Sequence, residues 1–201
     1  MGYKIITISR QCGSGGHTIG QALAEKLNIP LYDKKILEEV SSRSGLAEDV
    51  IENEGEYSTS SKIFNIAMGV YNAWDSGQRD TMPLREQINA YQTEFIREVA
   101  DKGGCVIVGR CAEYILRERT DCLNVFIYGN PEDRVKRVIE EHRVPDAEAE
   151  VHVKKRDKKR AAHYKYITDR EWGDVKNYNL CLDSSKLGIE KCIELILECV
   201  Q

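Results

Sequence analysis

The stretch ISRQCGSGGHTIGQALAEKL, residues 8–27, changes from a strand-like pattern of apolar residues to a helical one. It begins in an apolar, β-branched segment that is typical of a buried strand, and it ends in apolar positions that recur at helical spacing. The join holds three glycines, Gly13, Gly15 and Gly16. A strand, a glycine-rich turn and a helix in this order predict either a phosphate-binding loop or a structural turn.

The residues of this turn, QCGSGGHT (residues 11–18, called the glycine loop below), suit an anion. The first N–H groups of a helix have no partner inside the helix, and the aligned peptide dipoles favour a negative charge there. Glycines let further backbone N–H groups approach the oxygens of a phosphate. The hydroxyl of Thr18 is also a candidate ligand for magnesium bound to such phosphates. The predicted phosphate-binding residues are Gly13, Ser14, Gly15, Gly16, His17 and Thr18.

The glycine loop departs from the common template G-x-x-x-x-G-K-[ST]. With Thr18 in the last position, Gly16 occupies the place of the lysine and Arg10 occupies the place of the first glycine. We predict from this position alone that Arg10 supplies the missing positive charge. A dinucleotide-binding turn is the other functional interpretation, because Asp33 follows Gly13 at the distance expected of a ribose-binding acid.

Short apolar runs alternate with helical patterns along the rest of the chain. The predicted strands are residues 3–9, 29–33, 105–109, 123–128 and 179–183. A helical segment follows each of them, and this alternation is typical of an α/β fold whose parallel sheet is covered on both faces. Residues 46–80 and 143–172 fall outside the alternation. We interpret both stretches as insertions in a single domain.

The overall composition limits the classes of function. A chain of 201 residues suits one domain, and its net charge of −4 argues against general binding of nucleic-acid polymers. The seven cysteines form no CxxC motif, which disfavours a zinc or disulfide site. Neither a signal peptide nor an apolar run of membrane-spanning length is present in the sequence. We therefore expect a cytoplasmic protein that has no membrane partner.

Four segments, taken in order, resemble the cytidylate kinase family of P-loop nucleoside monophosphate kinases, in particular its shorter, divergent branch. They are IITISRQCGSGGHTIGQALAEKLNIPLYD (5–33), LREQINAYQTEFIREVADKGGCVIVGR (84–110), LNVFIYGNPEDRVKRV (123–138) and NYNLCLDSSKLGIEKCIELIL (177–197). The resemblance implies a P-loop NTPase-type, three-layer fold with a five-stranded, mostly parallel sheet. It also implies that the protein uses ATP and Mg²⁺ to phosphorylate a nucleoside monophosphate, CMP or dCMP.

The resemblance assigns roles to individual residues. It implies that residues 46–80 bind the acceptor, to which Arg85 also contributes, and that residues 143–172 form a lid. Arg110 follows a predicted strand, where an arginine can grip a phosphate with two parallel hydrogen bonds, and by resemblance it holds the acceptor phosphate. By resemblance the lid brings Arg156 and Arg160 to the transferring group, although a basic run is also typical of a solvated helix face.

Two positions leave the function open. Asp33 ends a predicted strand, where it either positions magnesium or an acceptor hydroxyl or caps the next helix. Cys111 stands where the family usually has an aspartate after its arginine. The sequence therefore leaves two alternatives to a nucleotide kinase: a non-catalytic nucleotide-binding protein that has the kinase fold, and a kinase for another small acceptor. Nothing after the glycine loop favours a dinucleotide-dependent oxidoreductase.

Overall fold

The computed structural model describes residues 2–51 and 82–200, and within them one sheet has five strands. The strands are β1 (Ile5–Arg10), β2 (Leu31–Tyr32), β3 (Cys105–Val108), β4 (Cys122–Tyr128) and β5 (Leu180–Asp183). Their order is β2-β3-β1-β4-β5, and each neighbouring pair is parallel. The predicted α/β fold is confirmed, and the sheet is wholly rather than mostly parallel over these residues.

The central strand β1 determines where the functional residues lie. Ile5 pairs with Cys105 of β3 on one side and with Cys122 of β4 on the other. Ile6 and Ile8 are almost fully buried because helices cover both faces of the sheet. Since all the strands are parallel, the ends of β1, β3 and β4 meet at one edge, and ligands of open α/β sheets bind at this carboxyl edge.

Helices connect the strands on both faces of the sheet. They are α1 (Gly16–Leu27), α2 (Lys34–Ser44), α3 (Leu84–Lys102), α4 (Ala112–Ile115), α5 (Pro131–His142), α6 (Asp146–Thr168), α7 (Ser184–Leu187) and α8 (Ile189–Val200). Helix α2 stops at Gly45 as predicted, since this residue adopts a left-handed φ of 72° and its N–H bonds to the carbonyl of Ser41. Within the described part of the chain, no helix is both long enough and apolar enough to span a membrane.

Two apolar cores give the fold its three layers. On one face, α2 and α3 pack on the sheet through buried residues that include Ile36 and Ile96. On the other face, α1 and α8 pack through Ile19, Leu23 and Ile193. Burying apolar side chains on both faces explains why the strands read as continuous apolar runs rather than as alternating patterns.

Two stretches were predicted as insertions in the α/β domain. The acceptor-binding insertion, residues 46–80, lies outside the described residues except for residues 46–51. The region predicted as a lid, residues 143–172, consists mainly of the single helix α6, which packs against α5. Its basic residues therefore lie on one continuous helix, and one of them, Arg160, contacts the last residue of β1.

Candidate active site

Close contacts with neighbouring elements shape the glycine loop after β1. Gly13 and Gly15 have left-handed φ angles of 74° and 78°, a conformation that glycine adopts without strain. A Cβ atom at Gly13 would lie less than 3.0 Å from the backbone of Arg134, and one at Gly15 would lie equally close to the side chain of Ile189. The sequence of the loop is therefore dictated both by its conformation and by its packing against α5 and α8.

Ser14 anchors the loop to the sheet. Its buried hydroxyl lies 2.9 Å from the carbonyl oxygen of Gln11 and 3.1 Å from that of Ile127 on β4. The side chain of Gln11 accepts a hydrogen bond of 3.2 Å from the N–H of Gly129. The hydroxyl of Ser14 is thus engaged within the protein, and its predicted contact with a phosphate stays a prediction.

The N-terminus of α1 presents the groups predicted to bind an anion. The helix begins at Gly16, so the N–H groups of Gly16, His17 and Thr18 lie in its first turn, where no intrahelical partner exists. His17 and Thr18 are exposed. The ring Nδ1 of His17 lies 2.8 Å from a carboxylate oxygen of Asp33, so the end of β2 is held beside this first turn.

Thr18 and Asp33 are the residues that could hold magnesium. A hydroxyl and a carboxylate are the hard oxygen ligands that Mg²⁺ prefers, and the ion usually takes only one or two protein ligands besides phosphate oxygens and water. The N-terminus of α1 therefore fits a metal that arrives with a nucleotide. Asp33 occupies the N-cap position of α2 but makes no capping hydrogen bond with its side chain, which turns to His17 instead.

Arg10 lies across the place where the template has its lysine. A Cβ atom at Gly16 would lie 2.5 Å from the Cβ atom of Arg10, so residue 16 has no room for a side chain unless Arg10 moves. The guanidinium extends past Gly109 at the end of β3, and its Nη2 atom lies 3.9 Å from a carboxylate oxygen of Asp33. A positive charge is thus present between the glycine loop and the neighbouring strand end.

Arg110 sits in a strained turn after β3. Gly109, Arg110 and Cys111 have consecutive left-handed φ angles of 79°, 59° and 54°, and two such residues in a row other than glycine are uncommon. Strain of this kind concentrates at functional sites. The carbonyl of Arg110 accepts a hydrogen bond of 3.3 Å from Gln92 of α3. Its guanidinium is buried, and within the described residues Nη1 has no hydrogen-bond partner.

Helix α6 brings two of the predicted lid arginines to the glycine loop. Arg160 donates a hydrogen bond of 3.0 Å from Nη1 to the carbonyl of Arg10, and among the described residues its buried Nε atom has no partner. Burial raises the pKa of the Cys12 thiol, and the nearby charges of Arg160 and Arg156 lower it in part. Both arginines therefore lie close enough to act electrostatically on this loop.

A small cavity of about 30 Å³ lies between the strand ends and α6. Its lining includes Arg10, Arg110, Arg160, His163, Tyr164 and Trp172. This volume admits about two water molecules, so it suits a small oxyanion and not a nucleobase. Three arginine residues line this small space, so an anion is the ligand that its chemistry favours.

A buried carboxyl group next to this cavity was not predicted from the sequence. Glu113 of α4 is almost fully buried, and Ser9 at the end of β1 donates a hydrogen bond of 3.3 Å to its Oε2 atom. Burial raises the pKa of Glu113 to about 7. Burial, and then proximity to Glu113, raises the pKa of both Tyr164 and Tyr178. The only sequence signal was the position of Glu113, shortly after the Gly-Arg pair that ends β3.

The predicted acceptor residue Arg85 lies elsewhere. It is buried at the start of α3, and its guanidinium carbon stacks 3.6 Å from the ring centroid of Tyr166 on α6. The hydroxyl of Tyr166 bonds to Glu86, which follows Arg85 in the chain. Arg85 is not among the described residues that line the cavity. The structure therefore joins Arg85 to the lid helix, and its contact with an acceptor stays a prediction.

Comparisons with known proteins identify the family and the fold of this chain. A cytidylate kinase of Pyrobaculum islandicum is 24% identical over 195 residues, which cover 96% of this chain and 91% of that protein. The crystal structure of an uncharacterized protein from Eubacterium ventriosum is 30% identical, with a TM-score of 0.72 over 98% of this chain and 97% of that one. Shikimate kinase from Bacteroides thetaiotaomicron shares the fold at 17% identity, with a TM-score of 0.52 over 96% of each chain. Residues 5–186 match the cytidylate kinase-like family, and the chain belongs to that family.

Proposed function

We propose that the protein transfers the γ-phosphoryl group of ATP, as its magnesium complex, to a nucleoside monophosphate, CMP or dCMP. The observation that carries this proposal is the meeting of Arg10, Arg110 and Arg160 around one small cavity beside the glycine loop. Phosphoryl transfer demands mostly positioning and neutralisation of charge, and these are what three guanidinium groups and a helix N-terminus provide.

The donor phosphates would bind to the glycine loop. The N–H groups in the first turn of α1 would hold their oxygens, and Arg10 would add the charge that a lysine at residue 16 supplies in the common template. Magnesium, held by Thr18 with Asp33 nearby, would neutralise charge on the phosphates. Arg10 is suited to this role because it reaches from the loop to the neighbouring strand end, between the donor and acceptor sides.

The acceptor phosphate would bind to Arg110. This guanidinium is buried, one of its nitrogens has no partner among the described residues, and the turn that carries it is strained. Arg110 follows β3, which pairs in parallel with β1, so it lies at the same edge of the sheet as the glycine loop. An acceptor held there would face the donor phosphate, which is the geometric requirement for in-line transfer.

The lid arginines would complete the site. Arg160 lines the cavity and already contacts the backbone of Arg10, while Arg156 acts on the glycine loop electrostatically. Both would stabilise the negative charge of the transferring group. Closure of α6 over the cavity would also exclude water, which competes with the acceptor.

The choice of CMP or dCMP rests on the family and on the relative from Pyrobaculum islandicum, which is named a cytidylate kinase. The test is a coupled ADP-release assay with ATP, magnesium and a panel of nucleoside monophosphates. We expect release with CMP or dCMP, and loss of release in Arg160→Gln but not in Lys158→Gln, whose exposed lysine lies two residues away.

The same assay, combined with a measurement of magnesium-ATP binding, distinguishes the nucleotide kinase from the alternatives. Release with a different monophosphate would correct the acceptor and keep the reaction. Binding of magnesium-ATP without transfer to any acceptor of the panel would favour a non-catalytic nucleotide-binding protein or a kinase for another small acceptor, because residue 16 is glycine and residue 111 is cysteine. A folded protein that neither binds nor hydrolyses ATP would reject the proposal.

A further inference from the structure

Two charged side chains hold one peptide segment of the glycine loop. The N–H of Cys12 donates a hydrogen bond of 2.7 Å to Oδ1 of Asp157 on α6. The carbonyl of Cys12 accepts a bond of 2.9 Å from Nε of Arg134 on α5. Arg134 also donates from Nη2 to Oδ2 of Asp157, so the two side chains bind each other and both polar groups of the same residue.

This arrangement is largely shielded from solvent, unlike an ordinary surface ion pair. The side chain of Arg134 is 8% exposed and that of Asp157 is 18% exposed. Beside them the side chain of Cys12 packs against Val138 and Val153, which belong to α5 and α6. Breaking a buried pair by removing one partner leaves an uncompensated charge, which is costly. The pair therefore constrains the loop more strongly than a solvated contact would.

A neighbouring contact extends the same constraint. Arg137, one turn after Arg134 on α5, donates a hydrogen bond of 2.7 Å from Nη1 to the carbonyl of Gly13. Both carbonyls of the Cys12–Gly13 segment thus face arginines of α5. The peptide groups of Cys12 and Gly13 are held in one orientation by these bonds. The backbone that follows, Ser14 to Thr18, is therefore fixed in position at its N-terminal end.

We infer that Asp157 and Arg134 are a positioning pair, which sets the shape of the glycine loop for binding donor phosphates and makes that shape depend on α6. The inference rests on the proposed function, since it takes the loop to bind ATP. Neither residue needs to touch the nucleotide. Asp157 fixes the Cys12 N–H, and Arg134 fixes the Cys12 carbonyl and neutralises the carboxylate.

Because the two side chains carry opposite charges, removing one of them and removing both should affect ATP affinity differently. Without Arg134, the carboxylate of Asp157 would remain beside the loop and repel the triphosphate of ATP. Without both charges, the loop would lose two hydrogen-bonding partners but no repulsion would remain. A double variant should therefore bind ATP better than the single variant that lacks only the arginine.

The experiment measures the affinity for magnesium-ATP by isothermal titration calorimetry in Arg134→Gln, Asp157→Asn and the double variant. We expect Arg134→Gln to bind about tenfold more weakly or worse, and the double variant to regain most of this loss. The matched control is Lys136→Gln with Glu140→Gln, an exposed pair on the same helix that is 3.9 Å apart. It should bind like the wild type. Equal affinity in folded Arg134→Gln and wild type would overturn the inference.

A nucleotide-free measurement separates this inference from the proposed function. Amide hydrogen exchange of a peptide that spans residues 10–15 should be faster in Asp157→Ala than in the wild type, because the Cys12 N–H loses its acceptor. If the wild type binds no nucleotide, the proposed function fails while exchange still reports on the pair. Exchange in Asp157→Ala that equals exchange in the wild type would overturn the positioning role. This result can be obtained even if Arg134→Gln does not fold.

Discussion

The Cβ atom of Arg10 lies 2.5 Å from the place that a Cβ atom of residue 16 would occupy, so the arginine and a side chain at Gly16 exclude each other. If Arg10 does the work of the template lysine, Arg10→Ala should reduce the rate of phosphoryl transfer by about 10²-fold or more, as the loss of other preorganised charges does. The measurement is kcat and KM for ATP in the ADP-release assay. Unchanged values would reject the role of Arg10.

The same exclusion predicts the result of restoring the lysine. Gly16→Lys alone should impair the protein, because the new side chain collides with Arg10. Arg10→Gly combined with Gly16→Lys removes the collision, because it deletes the Cβ atom of residue 10, and returns a positive charge to the loop. We expect this double variant to recover activity relative to Arg10→Gly, measured by kcat/KM for ATP. Lower activity in the double variant than in Arg10→Gly would contradict the exchange of roles.

A pair of glycines tests how tightly the loop packs against α5. Gly13 and Gly45 have nearly the same φ, 74° and 72°, but a Cβ atom would collide with the backbone of Arg134 only at Gly13, while Gly45 has nothing within 4 Å. Gly45→Ala should cost about 1 kcal/mol of unfolding free energy, the price of a left-handed alanine.

Gly13→Ala should cost at least about 1–3 kcal/mol more, since neither backbone can yield easily. Urea denaturation of the two variants beside the wild type measures both values. Equal losses would mean that α5 can retreat from the loop, and the argument from close packing would then be wrong.

Arg110→Ala tests the acceptor side. Loss of a buried guanidinium that binds a phosphate should raise KM for the monophosphate by about 10- to 100-fold, the value of one or two charge-assisted hydrogen bonds, and leave KM for ATP nearly unchanged. Arg117→Ala is the matched control, because Arg117 belongs to the same stretch but stacks on Tyr114 and pairs with Glu118 at the surface. A rise in KM for ATP alone would place Arg110 on the donor side.

The sequence predicted those features that are local in the chain. The spacing of apolar residues predicted all five strands. The positions of glycines predicted the glycine loop and the end of α2. Both signals act within a few residues of the chain. The loop template suggested Arg10 as the source of the missing charge, but the contact of Arg10 with residue 16 was not predicted. The family resemblance placed Arg110 and the lid arginines, and the structure brings Arg110 and Arg160 to one cavity.

Contacts between distant residues could not be predicted in this way. Asp157 binds the N–H of Cys12 across 145 positions, and its sequence context is only a charged helix. In the sequence Glu113 is a single acidic residue in the short segment AEYI, with no pattern that indicates burial. It is buried because β1, α4 and α6 pack together around it. Arg85 was assigned to the acceptor, but its ring partner Tyr166 belongs to an element 81 residues away.

Glu113 predicts an unusual dependence of stability on pH. Its pKa rises from the ordinary 4.5 to about 7 in the folded protein, because burial penalises the charged carboxylate. Between these values the unfolded chain releases its proton while the folded chain keeps it, so the free energy of unfolding falls as the pH rises. The contribution of the neutral acid is complete below pH 4.5 and is lost above about pH 7.

Glu113→Gln removes this titration while keeping a neutral side chain of similar shape. Relative to this variant, the wild type should lose about 3 kcal/mol of unfolding free energy between pH 4.5 and pH 7, and no more at pH 8. Tyr164 and Tyr178 stay neutral over this range because burial raises the pKa of both. Urea denaturation at several pH values measures the difference, with the exposed Glu118→Gln as control. If the unfolding free energy of the wild type instead rises with pH relative to Glu113→Gln, Glu113 is ionised in the folded state and is stabilised by the charge of Arg170.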